Sequence, residues 1–210
     1  MKLFNRFDKT FCVNLERRPD RLENFQNQVN TYNLGEYEVY KAVDGLELDK
    51  SKYNTNLRNG EIGLILTIID IIKFSKNNNL NNVLIIEDDC EFTSEINFID
   101  SYFEKLPSDW DMLYFGGNHN THMGWQQPII INDKVRKLVN TYSTHFVLIR
   151  NTVYDHILEI LPKLSEPLDI TYTRLQKIFN VYCFYPVIAT QKVDYSDIQN
   201  SVTNYTDIIK

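Results

Sequence analysis

Val83-Leu84-Ile85-Ile86-Glu87-Asp88-Asp89 decides how this chain is read: an unbroken apolar run passes directly into three adjacent carboxylates. A short run rich in β-branched residues is the pattern of a strand buried on both faces. Three neighbouring carboxylates cannot stay buried as ions without a partner, because desolvation and mutual repulsion both oppose it. The simplest placement is the C-terminal end of the strand, at the mouth of a cleft. In open α/β sheets that edge is where ligands bind. A hard divalent cation such as Mn²⁺ or Mg²⁺ suits such oxygen ligands. The competing reading is a strand followed by a solvated acidic turn.

Working outward, Thr10 to Leu15 reads as a first strand, and Pro19 suits the first turn of a helix. Leu22, Phe25, Val29 and Tyr32 follow at helical spacing, with Gly35 at the end. Tyr37 to Val43 is a second strand closed by the turn pair Asp44-Gly45. From Gly60-Glu61 a helix runs with Ile or Leu on nearly every face, so it is expected inside the molecule. The order β-α-β-α-β predicts an α/β fold with a parallel sheet. Beyond it, Ser94 is a candidate cap for a helix from Glu95 to Leu106, and Asp111 to Phe115 is a strand ending at Gly116-Gly117. Residues 118–127 read as a loop near the cleft. Pro128 to Asn132 and Tyr142 to Ile149 read as antiparallel strands. Helices are expected from Asn151 to Leu164 and from Leu168 to Asn180, then a strand from Val181 to Ile188 interrupted by Pro186 and a polar tail.

The chain has 210 residues, 43% hydrophobic and 24% charged, which allows one domain with a sizeable core. The net charge of −6 opposes a general nucleic-acid binder. Cys12, Cys90 and Cys183 are widely spaced and odd in number, which reads as free thiols in a reducing compartment. No apolar stretch reaches signal-peptide or transmembrane character, so a soluble, cytoplasmic chain is expected, bacterial or, if viral, in the host cytoplasm. A homo-oligomer is compatible with so compact a chain.

Arg17, Arg18 and Arg21 are candidates for phosphate contact, since a guanidinium forks onto phosphate oxygens and sits poorly at the positive end of a helix. Asp44 reads either as a ribose or base ligand or as a simple turn residue.

Asn14-Leu15-Glu16-Arg17-Arg18-Pro19-Asp20-Arg21 resembles the opening motif of glycosyltransferase family 25, which includes bacterial lipooligosaccharide and collagen galactosyltransferases. Ala42-Val43-Asp44-Gly45, Gly60-Glu61-Ile62-Gly63, Ile85-Ile86-Glu87-Asp88-Asp89 and Pro186 to Gln191 with Ser196-Asp197-Ile198 are similar to later blocks of that family, in family order. The resemblance implies a GT-A-type nucleotide-binding fold, a mixed, mainly parallel sheet flanked by helices. It implies one domain over 1–210, with a nucleotide-sugar half at 1–117 and an acceptor half at 118–210. It implies a UDP-sugar donor and a glycan, lipid-linked glycan or protein acceptor. Asp89 would hold the metal, with Glu87 and Asp88 as further ligands or in support. Asn14, Leu15, Arg18, Arg21, Asp44, Gly45, Glu61, Thr67, Glu87, Asp88, Gln191 and Ser196 would surround the donor.

Asp169 matches the family's late acidic position and reads equally as general base or helix cap; Asp109 and Asp111 are rivals for the base. His145 reads as a bonded structural residue more readily than as a ligand. Trp125 and Tyr142 are candidates to stack on a sugar. Thr67-Ile68 stands where the family carries Ser-His, which puts the role of that His in doubt. A chain that binds nucleotide sugar with impaired turnover is therefore the second reading. Another Mg²⁺-dependent α/β enzyme is the third, weakened because no Walker loop, dinucleotide fingerprint or nucleophile elbow is found.

Overall fold

A computed structural model describes residues 1–119, 126–199 and 201–204. The residue alternation within the buried run 83–86 sets up the architecture. Val83 and Ile85 face one hydrophobic core, Leu84 and Ile86 the other, so this strand is covered on both sides. It is β3 (Asn82–Glu87), and it pairs in parallel with β1 (Lys9–Asn14), which pairs in parallel with β2 (Glu38–Lys41).

Between these strands, α1 (Pro19–Tyr32) packs Phe25 and Val29 into one core. The helix α2 (Asn59–Asn77) packs Ile62, Ile65, Ile69 and Ile72 into the other. Pro19 opens α1 where its missing N–H costs nothing. The helix closes on Asn33 in the left-handed region at φ 52°, not on Gly35, which lies beyond it at φ 115°. At the start of α2 the Arg58 N–H donates to Glu61 Oε2 at 2.7 Å, the acidic half of a capping box.

The full sheet has eight strands in the order β2-β1-β3-β8-β5-β9-β7-β6. Here β5 is Met112–Tyr114, β6 Ile129–Ile130, β7 Val135–Lys137, β8 Phe146–Arg150 and β9 Val181–Phe184. Only β7 and β8 run against the other six, so the sheet is mixed, as expected, although four of its seven pairings are antiparallel. The helices α4 (Asn151–Ile160) and α5 (Leu168–Leu175) join α2 on one face, and α3 (Ile99–Phe103) joins α1 on the other. All three cysteines are free and buried. No helix among the described residues is long and apolar enough to cross a membrane.

Four expectations change. The helix predicted from Ser94 is a 3₁₀ segment (Ser94–Phe98) followed by the short α3, because Phe98 leaves helical geometry at ψ 14°. The last helix stops at Leu175. The strand predicted through Ile188 ends at Phe184, passes a cis Tyr185–Pro186 bond, and resumes as β10 (Ala189–Gln191). That segment leaves the main sheet to pair antiparallel with β4 (Cys90–Phe92), directly after the acidic triplet. The polar tail forms a separate hairpin of β11 (Asp194–Ser196) and β12 (Ser201–Thr203).

The topology places the site. From β1, second in the sheet, the chain steps outward to the edge strand β2, then crosses back beyond β1 to β3. The carboxyl ends of β1 and β3 therefore border the crevice where strand order reverses, with Val13 opposite Glu87.

Candidate functional site

The acidic triplet is pinned by backbone bonds from three directions. Glu87 N–H donates to His145 O at 2.8 Å, and Asp88 N–H to Val13 O at 3.2 Å. Lys192 N–H donates to Asp89 O at 2.8 Å. The side chains are equally placed. Asn14 Nδ2 donates to Asp88 Oδ2 at 2.6 Å and to Arg18 O at 3.0 Å. Arg21 Nη1 lies 3.2 Å from Asp88 Oδ1 and 3.3 Å from Asp89 Oδ2. Thr144 Oγ1 donates to Glu87 Oε1 at 3.2 Å. Thr144 stands there because β8 is antiparallel to β3, so the residues leading into Phe146 arrive at the end where β3 finishes.

Arg21 alone does not neutralise this group. Burial raises all three carboxylates; Asp88 is pushed up to about 6 by burial and then by Asp89, against Arg21 and the Asn14 amide. Burial, Asp89 and Asp88 push Glu87 upward, and burial raises Asp89 against Arg21 and Gln191. Asp89 Oδ1 is buried with no hydrogen bond of ordinary geometry. Such an oxygen fits a metal ligand. Among the described residues no three His, Cys, Asp or Glu side chains gather around one ion position. One or two carboxylates, completed by phosphates and water, is a donor set that Mg²⁺ or Mn²⁺ accepts in general.

Two clefts meet at Glu87. The first, of about 920 Å³, is walled by Val13, Leu15, Ala42 and Val43, with Arg17, Arg21, Asp44 and the acidic triplet at its polar side. Gly45 is needed there, since a Cβ would sit 2.6 Å from the backbone of Asn59 and Gly60. Asp44 combines both of its readings. It borders the cleft, and it accepts from Leu46 N–H at 2.9 Å and from Arg17 Nε at 2.6 Å.

The second cleft, of about 1010 Å³, shares Arg58, Leu64, Glu87, Ser196 and Ile198 with the first. Glu61, Tyr142, Ser143, Asp169 and Gln191 also line it. Asp169 is in the first turn of α5 and is not its cap, which is Pro167. Burial raises its pKa, opposed by the amides of Ile170 and Ser143. A carboxylate in a cleft with a raised pKa has the attributes of a proton acceptor.

Other expected residues stand elsewhere. Thr67 lies fully buried in α2, where its hydroxyl donates to Gly63 O at 2.8 Å and accepts from Val43 N–H at 2.9 Å. It shapes the cleft floor from behind and lines neither cleft. Arg18 lines neither cleft as well; its guanidinium is held by Asp20, Asp194 and Asp197. Asn14 reaches no cavity wall and acts on Asp88. Asp109 and Asp111 are at the opposite end of β5, bonded to Tyr182, Thr152 and Asn180, so the rivals to Asp169 fall away. His145 is fully buried with Nε2 3.3 Å from Ala189 O, and burial holds it neutral, down to about 4. Trp125 lies outside the described residues.

Sequence reasoning missed Thr144, Asp194 and Asp197. The two aspartates converge on the arginines after Asn14, some 175 positions away in the chain. For Asp194 the signal was complementary charge, which many distant pairs share; Asp197 also stands in the Ser196-Asp197-Ile198 block, which marked the segment without naming its partners.

The sequence pattern of glycosyltransferase family 25 (LPS biosynthesis protein) matches residues 7–160. Among relatives, procollagen galactosyltransferase 2 of Mus musculus is 28% identical over 130 residues, covering 52% of this chain and 21% of that protein. A Bos taurus protein named probable inactive glycosyltransferase 25 family member 3 is 30% identical over 132 residues, covering 52% and 22%. The chain thus spans about a fifth of the length of these curated relatives. A solved glycosyltransferase involved in the glycosylation of the major capsid of PBCV-1 aligns at TM-score 0.44 and 11% identity, over 73% of this chain and 65% of that one.

Proposed function

The chain belongs to glycosyltransferase family 25, and we propose that it is a metal-dependent, inverting transferase that moves a hexose, galactose or glucose, from a UDP-sugar to a hydroxyl of a glycan or hydroxylated protein. The observation that carries this reading is the meeting of two clefts at the acidic end of β3, where Asp89 keeps a buried oxygen unbonded.

Nucleotide would occupy the first cleft, with its base against Val13, Leu15 and Val43, its ribose near Asp44 and its diphosphate between the arginines at the start of α1 and the triplet. Asp89 would hold Mn²⁺ or Mg²⁺, with Glu87 at the open side; Asp88, bonded to Asn14 and Arg21, orients its neighbours. The bound cation supplies stabilisation of the charge that develops on the diphosphate leaving group. Thr144 fixes the Glu87 carboxylate at the junction. The acceptor would enter the second cleft, with Tyr142 against a sugar face. Asp169 would accept the proton of the attacking hydroxyl on the side opposite the leaving group, as inversion requires.

Titration calorimetry with UDP, with and without Mn²⁺, tests the binding half; absence of Mn²⁺-dependent affinity would refute it. A screen of UDP-sugars for donor hydrolysis and transfer tests the chemistry. Asp169→Asn is expected to lower transfer by about 10²–10⁴-fold while leaving UDP affinity unchanged.

One observation favours a second reading, a nucleotide-sugar binder with impaired turnover. Thr67 and Ile68, at the family's Ser-His positions, are both buried in α2 and bring no imidazole to either cleft. UDP binding without hydrolysis of any donor would support that reading over the first.

A further inference from the structure

The C-terminal hairpin carries an anion into the first cleft. Asp197 follows β11 and lines that cleft. Its two oxygens are taken by different arginines: Oδ1 accepts from Arg17 Nη1, and Oδ2 from Arg18 Nη1 at 2.7 Å. The Asp197 side chain is 12% exposed and that of Arg18 14%. Two guanidiniums converging on one partly exposed oxyanion is the geometry by which arginine recognises phosphate.

Both arginines are aimed by other residues. Asp44 holds Arg17 through Nε at 2.6 Å. Asp20 holds Arg18 through Nε at 3.0 Å and Nη2 at 2.9 Å. The Nη1 groups would therefore keep their direction if Asp197 withdrew. The hairpin, by contrast, is lightly held. β11 and β12 form their own two-stranded sheet, unpaired with the eight-stranded one, and such ribbons are marginal alone. Its other anchors are Asp194, 3.0 Å from Arg18 Nη2 and 3.3 Å from Arg21 Nε, and Tyr195 O, which accepts from Arg21 Nη2 at 2.7 Å.

We propose that Arg17, which lines the first cleft, and Arg18, which stands behind Asp197 and outside the cleft wall, form an anion subsite at the cleft edge, that Asp197 is its internal occupant, and that the diphosphate of a nucleotide displaces Asp197 with its hairpin. This rests on the nucleotide-binding reading above. The exchange substitutes a diphosphate for one carboxylate on the same two Nη1 groups, while Asp44 and Asp20 stay in place. It makes nucleotide entry and hairpin release a single equilibrium, and the hairpin residues Ser196 and Ile198, which wall both clefts, would move with it.

Calorimetry on wild type and Asp197→Asn, with UDP and with uridine as a phosphate-free probe, tests it. The variant should bind UDP about tenfold more tightly and uridine unchanged. Unchanged or weaker UDP affinity, with wild-type binding intact, would overturn the exchange and mean that Asp197 organises the arginines. If neither protein binds UDP or uridine, the nucleotide-binding reading fails and the exchange with it. Hydrogen exchange on wild type needs no variant: saturating UDP should speed exchange across 194–199, and slowed or unchanged exchange would refute displacement.

Discussion

Asp88 and Asp197 are both carboxylates gripped by arginine at the same cleft, yet the two are supported in opposite ways. Asp88 sits at the end of a strand buried on both faces, with its backbone tied to β1 and its side chain bonded to Asn14 and Arg21. Asp197 hangs from a two-stranded hairpin, held by side-chain ion pairs and by Ile198 lying against Gly60, where a Cβ would come 3.0 Å from Ile198 Cα. The comparison teaches that a carboxylate presented by the sheet keeps its place whatever the salt concentration. A charge presented by ion pairs is negotiable, because exposed pairs contribute little and are screened by salt. A site that must hold a cation tightly and release a nucleotide has use for both kinds.

The comparison breaks first at Asp89. Asp89→Ala should weaken Mn²⁺-dependent UDP binding by at least about 100-fold in calorimetry, with an unaltered far-ultraviolet spectrum. Retained Mn²⁺-dependent affinity would mean that the sheet edge is not where the cation is held.

Next is the amide beneath it. Asn14→Ala removes the donor to Asp88 and should cost about 1–3 kcal/mol in urea unfolding, as a buried acceptor loses its partner. A cost near zero would show that Asp88 is no better supported than the hairpin acids.

The third test is pH. Asp88 has a folded pKa of about 6 against an ordinary 3.8, so the native state binds that proton more tightly than the unfolded chain. Stability without divalent cations should therefore fall as pH rises through this window, by about 3 kcal/mol, with Glu87 extending the decline upward. Mn²⁺ should flatten the slope in the same melts. A stability that rises over this range would contradict the placement of the triplet.

The smallest effect belongs to the hairpin. Raising ionic strength from about 0.05 to 0.5 M should weaken protection of the 194–203 amides by less than about 1 kcal/mol in hydrogen exchange, leaving β3 amides unaffected. Equal responses in both regions would erase the distinction.

What could be read in advance follows the range of the forces involved. The run 83–86, the apolar α2 and the alternation of strands with helices are local patterns, and they carried the α/β architecture and the acidic strand end. Pro19 and the Gly60-Glu61 opening are likewise local, so the starts of α1 and, within a residue, α2 were legible. The failures are non-local. Nothing near Ala189 says that it leaves the sheet to pair beside Cys90, and nothing near Asp194 says that it will face Arg18 and Arg21. Thr67 was placed at the ligand by its motif, whereas α2 packs on the sheet with that position turned inward.

From the linear order of residues came the buried strand, its anionic end and the arginines that begin α1, since hydrophobic periodicity and charge are properties of a few neighbours. Folding alone decided which acids those arginines meet, which aspartate stands in the second cleft, and that one oxygen of Asp89 is left over. Such partners are chosen where chain segments distant in sequence cross at one sheet edge, and no short window of sequence encodes that crossing.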